Sequence, residues 1–308
     1  MLIKFIISTV SIFLSALLAM AFFTLLERKL LGYIQLRKGP NKVSVMGIPQ
    51  PIADALKLFT KELNIPNTAN ALPFIAAPML ALFLALSLWL LYPYFSSPFI
   101  LKWGIMLFLA ISSINVYTTL FSGWASNSKY ALLGALRSIA QTISYEVSMA
   151  LVLLTPMIMF SSISLNFFST SYSIMFLFMA WPLFITWLIT SLAETNRTPF
   201  DLAEGESELV SGFNTEYSSG TFALIFMAEY MNIIAMSMIT CVLFFMVSPM
   251  NLMSDMFMIV GLSSISVIFI WARGAYPRMR YDKLMSLTWK QFLPMTLMSI
   301  MIGTALTM

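Results

Sequence analysis

Eight windows of the chain, roughly 3–26, 74–95, 99–121, 138–160, 172–193, 221–247, 254–271 and 291–307, are almost continuously apolar. A bilayer span needs about 20 such residues, so each window predicts a transmembrane helix. The first begins with a single lysine, is too long for the apolar part of a secretory leader and runs into Glu27-Arg28-Lys29 without a small-residue cleavage site, so it reads as a retained helix. Polar segments at 27–73, 122–137, 194–220 and 272–290 follow the first, third, fifth and seventh windows. Eight spans put these four segments on one side and both termini on the other. The prediction is an all-α, polytopic membrane protein with about eight transmembrane helices, residues 1–308 forming one membrane domain.

The basic residues decide which side is which. Of 17 Lys and Arg, only Lys4 and Lys102 fall outside the four polar segments, and both sit at span ends, where their stems can snorkel. The positive-inside rule places the segments in the cytoplasm of a bacterium or the matrix of a mitochondrion, and the termini on the outer, intermembrane-space side. Among the 13 acids, only Asp255 lies on the outer side. Chemistry is thereby assigned to the inner side or to the membrane itself.

Composition narrows that chemistry. The chain is 59% hydrophobic and 10% charged, lacks histidine and has one cysteine, Cys241. Haem ligation by histidine, zinc sites of the usual ligand count, cysteine-ligated Fe–S clusters and Ser-His-Asp catalysis are excluded within this chain. Any redox cofactor belongs to a partner. A net charge of +4 without a basic tract gives no basis for nucleic-acid binding. The windows show no internal repeat, which argues against a self-contained transporter. Pro78, Pro156 and Pro182 lie in or near spans as tolerated kinks.

The first polar segment contains GIPQPIADALKLFTKE at 47–62. Ile52, Leu56, Phe59 and Leu63 recur at helical spacing, with Asp54, Lys57 and Lys61 opposite, so a short amphipathic helix is predicted at the membrane surface. It reads either as an interfacial anchor or as the lining of a pocket mouth reached from lipid, with Asp54 facing inward. Upstream, the charged groups at 27–29 and 37–42 read as the stop of the first span.

The third polar segment, ETNRTPFDLAEGESELVSGFNTE at 194–216, carries Glu194, Asp201, Glu204, Glu206, Glu208 and Glu216 against Arg197 alone. Thr198, Pro199 and Asp201 have the form of an N-cap, N1 and N3, predicting a helix start there. Asp201, Glu204 and Glu208 would then share a face, a repulsive spacing. The cluster reads as a solvated acidic loop or as carboxylates crowded enough to exchange protons near neutral pH. Two further acids fall within spans. Counted from Arg137 and Gly220 as the inner span ends, Glu146 and Glu229 lie roughly 13–14 Å deep. An ionised side chain there costs about 2.5–3.5 kcal/mol. Neither span offers a basic partner at that level, so Tyr145 and Tyr230 are the expected hydrogen-bond neighbours. Intramembrane acids point to proton carriage. The fourth segment, WARGAYPRMRYDKL at 271–284, offers Arg273, Arg278 and Arg280 to pair with the acidic segment, or simply to set topology.

Taken together, GIPQPIADALKLFTKE, PFDLAEGESELVSG at 199–212, ERKLLGYIQLRKGPN at 27–41, AETNRTPFD at 193–201, FMAEY at 226–230 and WARGAYPRMRYD at 271–282 resemble the core membrane subunit of respiratory complex I that carries the quinone channel. The resemblance covers essentially the whole chain. The size and the 25 methionines look like the mitochondrial, ubiquinone-using version, which implies a multi-pass protein of the mitochondrial inner membrane.

The resemblance implies a subunit of an H+-translocating NADH:ubiquinone reductase that holds no complete active site. It would anchor the redox arm and form most of the tunnel by which ubiquinone, the substrate, reaches an Fe–S cluster. The Fe–S clusters and FMN would sit on partner subunits, and this chain would bind no cofactor or metal. Its partners would be the quinone-site peripheral subunits, the small and antiporter-like membrane subunits, and lipid. Carried over by position, Glu27, Arg28, Arg37, Asp54, Phe226, Met227 and Arg273 would line or gate the tunnel. Glu194, Asp201, Glu204, Glu206, Glu208 and Glu216 would link it to Glu229 and Glu146. The readings left open are a homologous subunit of an energy-converting hydrogenase, an autonomous ion transporter, and a purely structural anchor.

Overall fold

The computed structural model describes residues 2–93, 101–165, 168, 176–178, 180–205, 210–245 and 252–307. All regular elements among them are helical: α1 (Leu2–Ile34), α2 (Gln50–Thr60), α3 (Ala71–Leu88), α4 (Gly104–Ala125), α5 (Lys129–Phe160), α6 (Trp181–Glu194), α7 (Ser219–Phe244), α8 (Leu252–Ala275), α9 (Tyr281–Leu287) and α10 (Leu293–Thr307). Six of the apolar windows are single helices long and apolar enough to cross a membrane. The fifth window is helical at 176–178 and over α6, and the eighth is α10, joined to α9 through a π turn at Thr288–Phe292.

The bundle is arranged around α7, which packs on α1, α2, α3, α6 and α8. Every residue from Ile233 to Phe244 is buried, as expected of a helix apolar around its whole circumference. In lipid there is little hydrophobic gain from helix pairing, so close packing and interhelical polar contacts hold such a bundle. The α4–α5 seam follows that rule. A Cβ on Gly123 would run into Ala135 and approach the Ala131 carbonyl at 3.0 Å. Further along, the Thr155 and Ser299 hydroxyls join α5 to α10 at 3.2 Å.

The four polar segments meet at one end of the bundle, as the odd–even order of the spans requires. Asn70 N donates to the Ala125 carbonyl at 3.0 Å and Asn127 Nδ2 to the Thr68 carbonyl at 3.1 Å, joining the first to the second. Tyr217 OH reaches the Ser122 carbonyl at 3.3 Å and stacks on Phe74, centroids 4.2 Å apart. Met279 N donates to the Pro199 carbonyl at 2.9 Å, joining the third to the fourth.

Several sequence expectations change here. The charges at 27–29 do not stop the first helix: α1 continues through them to Ile34, because Glu27 finds its counter-charges inside the protein. α5 starts at Lys129, not Arg137, so Glu146 sits near the middle of a 32-residue helix. Pro182 lies in the first turn of α6, where its missing N–H is harmless, while Pro78 and Pro156 lie inside α3 and α5.

No helix starts at Thr198. The described residues from 195 to 205 form turns, with the Thr198–Pro199 bond cis. Asp201 Oδ1, not the Thr198 hydroxyl, accepts from a backbone N–H three residues on, that of Glu204 at 3.2 Å. The capping signal is overridden because Phe200, Leu202 and Ala203 are buried against the bundle. The chain is also pressed flat: Gly212, at φ +59°, lies against the Ala203 carbonyl with no room for a Cβ, and a Cβ on Gly134 of α5 would clash with the Gly212 backbone, 2.9 Å from its Cα. Glu206 and Glu208 lie outside the described residues, and with them the expected shared face of Asp201, Glu204 and Glu208.

Candidate functional site

The site is assembled from the α1 end, the turn after α6, the first half of α7 and the α8 end. Its centre is Glu27, which is 5% exposed. Arg273 Nη1 meets Glu27 Oε1 at 2.5 Å and Arg197 Nη1 meets the same oxygen at 3.3 Å. Tyr230 OH donates to Oε2 at 2.6 Å. The Arg197 guanidinium also lies over the Tyr230 ring, 4.4 Å from its centroid. Burial, the largest single influence, would lower the Arg197 pKa, but the Glu27 carboxylate together with Tyr230 and Glu229 outweighs it and drives the value above the ordinary arginine range, so Arg197 stays charged. Tyr230 therefore serves Glu27, not Glu229 as its sequence position suggested, and Tyr145 OH has no hydrogen-bond partner among the described residues.

Arg197 and Arg273 extend from this cluster into the wall of a cavity of about 100 Å³, shared with Asp201, Glu204, Phe226 and Glu229. A basic partner for Glu229, absent from its own span, thus arrives from the polar segment. Asp201 is held by Arg278, Oδ2 to Nη2 3.0 Å. Glu204 Oε1 accepts from Asn214 Nδ2 at 3.3 Å. Burial pushes the Glu204 carboxyl above its ordinary 4.5 and the Asp201 carboxylate pushes it further, against the pull of Arg197, Arg273 and Asn214. This carboxyl is poised to hold a proton that an exposed glutamate would lose.

A second chamber, of about 50 Å³, lies deeper. Glu229 borders it too, with Glu194, Asn115, Asn196 and Asn232. Glu194 Oε2, Asn196 Oδ1 and Asn232 Oδ1 are buried without a partner among the described residues. All three are acceptors, and a chamber of that size suits water, which donates. Beyond it, Glu146 acts on Glu194 electrostatically from α5. The carboxylates thus follow an order in space: Asp201 and Glu204, then Glu229, then Glu194, then Glu146.

Not every expected residue joins this arrangement. Arg28 pairs with Asp54 at 2.6 Å, side chains 54% and 36% exposed, beside the cluster rather than in it. α2 rests against α1 and α7, its Ile52, Leu56 and Phe59, and Leu63 just beyond, each half exposed and uncovered by this chain. Arg37 is exposed, donating to Gln35 Oε1 at 2.9 Å. Met227 packs into the main core. Glu216 is half-buried and borders none of these cavities. Arg280 pairs with Asp282 on the surface.

Several contributors were missed in the sequence, among them Arg197 as a ligand of Glu27, Asn196 and Asn214 of the polar segment, and the span amides Asn115 and Asn232. Amides within apolar spans are themselves a signal, since each must find a partner in a region without bulk water. Arg197 carried no such signal, because a lone base among six acids looks like charge balance until the fold brings it to Glu27.

An all-helical polytopic membrane protein with a buried ion network opening into a file of carboxylates is the class that fold and site define. The sequence profile of the family described as NADH dehydrogenase matches residues 7–304, and the chain belongs to that family. Among its relatives, the NADH-ubiquinone oxidoreductase chain 1 of Zaedyus pichiy is 52% identical over 306 residues, covering 98% of this chain and 96% of that protein. Those of Carassius auratus and Aedes aegypti are 54% and 53% identical, over 94% and 91% of this chain and 91% and 89% of theirs.

Proposed function

We propose that this chain is a membrane subunit of a mitochondrial NADH-ubiquinone oxidoreductase, in the inner membrane, and that it works with other subunits of that complex. It gives ubiquinone a path from the lipid and couples quinone reduction to proton movement through its carboxylates. FMN and the Fe–S clusters reside on partner subunits. In this reading the half-exposed apolar side of α2 and the Arg28–Asp54 pair form the entrance. Phe226 and Arg273 border the inner end, with Glu27 behind them holding the arginines in place. Arg37, Met227, Glu206, Glu208 and Glu216 belong to the same tunnel and acidic segment by position in the family.

The observation that carries the proposal is that Glu229 borders both chambers. It shares one with Arg197, Asp201 and Glu204, and the other with Glu194. A change of charge on the quinone side therefore acts on Glu204 and Glu229, and their protonation acts in turn on Glu194 and Glu146. Crowded, desolvated carboxylates suit such a relay because a small change in field shifts which of them holds a proton. Glu229→Gln in the assembled complex tests it. Protons translocated per NADH should fall while NADH oxidation by a water-soluble acceptor is retained; an unchanged proton yield rules Glu229 out as a carrier.

A further inference from the structure

Gln141 is fully buried on α5, and its one amide nitrogen serves two backbone carbonyls that are far apart in sequence. Nε2 donates to the Ala193 carbonyl at 3.0 Å and to the Phe200 carbonyl at 2.6 Å. Ala193 immediately precedes Glu194, at the edge of the inner chamber. Phe200 immediately precedes Asp201, at the edge of the outer cavity. Both ends of the 194–200 turn are therefore fastened to one point on α5, the helix that carries Glu146. The Phe200 ring packs on Tyr145, one turn above Gln141, at 5.7 Å, so the fastening is backed by aromatic contact. Nothing in the relay itself uses Gln141.

We propose that Gln141 is the positioning residue of this site. It staples the turn so that Glu194 keeps a fixed register with Asp201 and Glu204, and the proton relay between the two chambers depends on that register. The proposal rests on the coupling role argued above. The chemistry requires this residue type. An amide N–H2 can donate twice, a carboxylate would face two carbonyl oxygens with no proton to give, and an apolar side chain would leave both carbonyls with backbone donors alone, Asn196 N at Ala193 and Leu202 N at Phe200. The stem length matters equally, since asparagine is one methylene too short to reach both.

The test uses the assembled complex carrying Gln141→Met, which keeps length and removes the donor, and Gln141→Asn, which keeps the donor on a shorter stem. Two quantities are measured: hydrogen–deuterium exchange in the peptide covering 192–205, and protons translocated per NADH oxidised. With Gln141→Met, exchange should speed up roughly tenfold through loss of two hydrogen bonds. Proton yield should fall at least about twofold, since small misplacements of reacting groups are costly. Gln141→Asn should lie between. Unchanged exchange overturns the staple, and faster exchange with full proton yield overturns its link to the relay. Failure of both variants to assemble also overturns the proposal, assigning Gln141 to folding alone. Glu194→Gln and Glu229→Gln, run alongside, separate the two layers. If they keep full proton yield, the coupling reading has failed, and the exchange result judges the staple by itself.

Discussion

Replacing Glu27 with glutamine tests the network that closes one end of the site. Gln keeps the shape and removes the charge, leaving Arg197 and Arg273 without their shared carboxylate. Each charge-assisted hydrogen bond to Glu27 is worth roughly 1.5–3 kcal/mol. The Arg273 side chain is 40% exposed, so solvent screening discounts its share. Arg197 is only 14% exposed, and stripping one partner from a buried pair costs roughly 3–5 kcal/mol, mostly through the charge left behind. A net loss of about 3 kcal/mol corresponds to roughly a hundredfold in rate. The assay is the rate of heat inactivation of the assembled complex, a kinetic stability. Glu27→Gln should inactivate about a hundredfold faster. Because the cost lies in an uncompensated charge, adding Arg197→Gln should restore part of the loss, with a coupling energy of about 2 kcal/mol. Some loss remains in the double variant, since Arg197 also faces Glu204 and Glu229. If the two single effects simply add, Glu27 and Arg197 are not energetically linked and the reasoning is refuted.

Three further outcomes follow from other parts of the site. Glu204 has a raised carboxyl pKa from burial and from Asp201. A carboxyl that binds its proton more tightly when folded favours the native state at low pH, and that contribution is lost as pH rises from the ordinary 4.5 through the folded value. Glu204→Gln, permanently neutral, should flatten the decline of heat stability above that pH; an unaltered pH profile contradicts the assignment. Gly212→Ala places a Cβ against the Ala203 carbonyl at positive φ and should sharply reduce assembled complex, seen on a native gel, whereas normal amounts would show that the segment packs differently. Asp54→Ala breaks a largely exposed ion pair. It should cost less than about 1 kcal/mol of stability yet change the apparent quinone affinity or inhibitor sensitivity, and no change in either counts against an entrance there.

The all-helical polytopic architecture, the common end of the polar segments and the amphipathic helix over Gln50–Thr60 were legible in the sequence because hydrophobic periodicity and length answer to the bilayer locally. So was the scarcity of redox ligands, which follows from composition alone. The acids that build the site were legible as well, since a carboxylate in an apolar span is conspicuous wherever the chain goes. Most of their partners were not, the Arg278–Asp201 pair apart. Glu27 looked like part of the stop of the first span, and it became the centre of the network only because Arg197, Tyr230 and Arg273, distant in sequence, converge on it. Thr198 and Pro199 carried a sound capping signal, but a cap contributes about 1 kcal/mol, and the burial of Phe200, Leu202 and Ala203 with the Gln141 bonds outweighs it. Which residues are charged and embedded is thus settled residue by residue along the chain. Which charges meet is a property of distances between helices, and only the tertiary structure decides it.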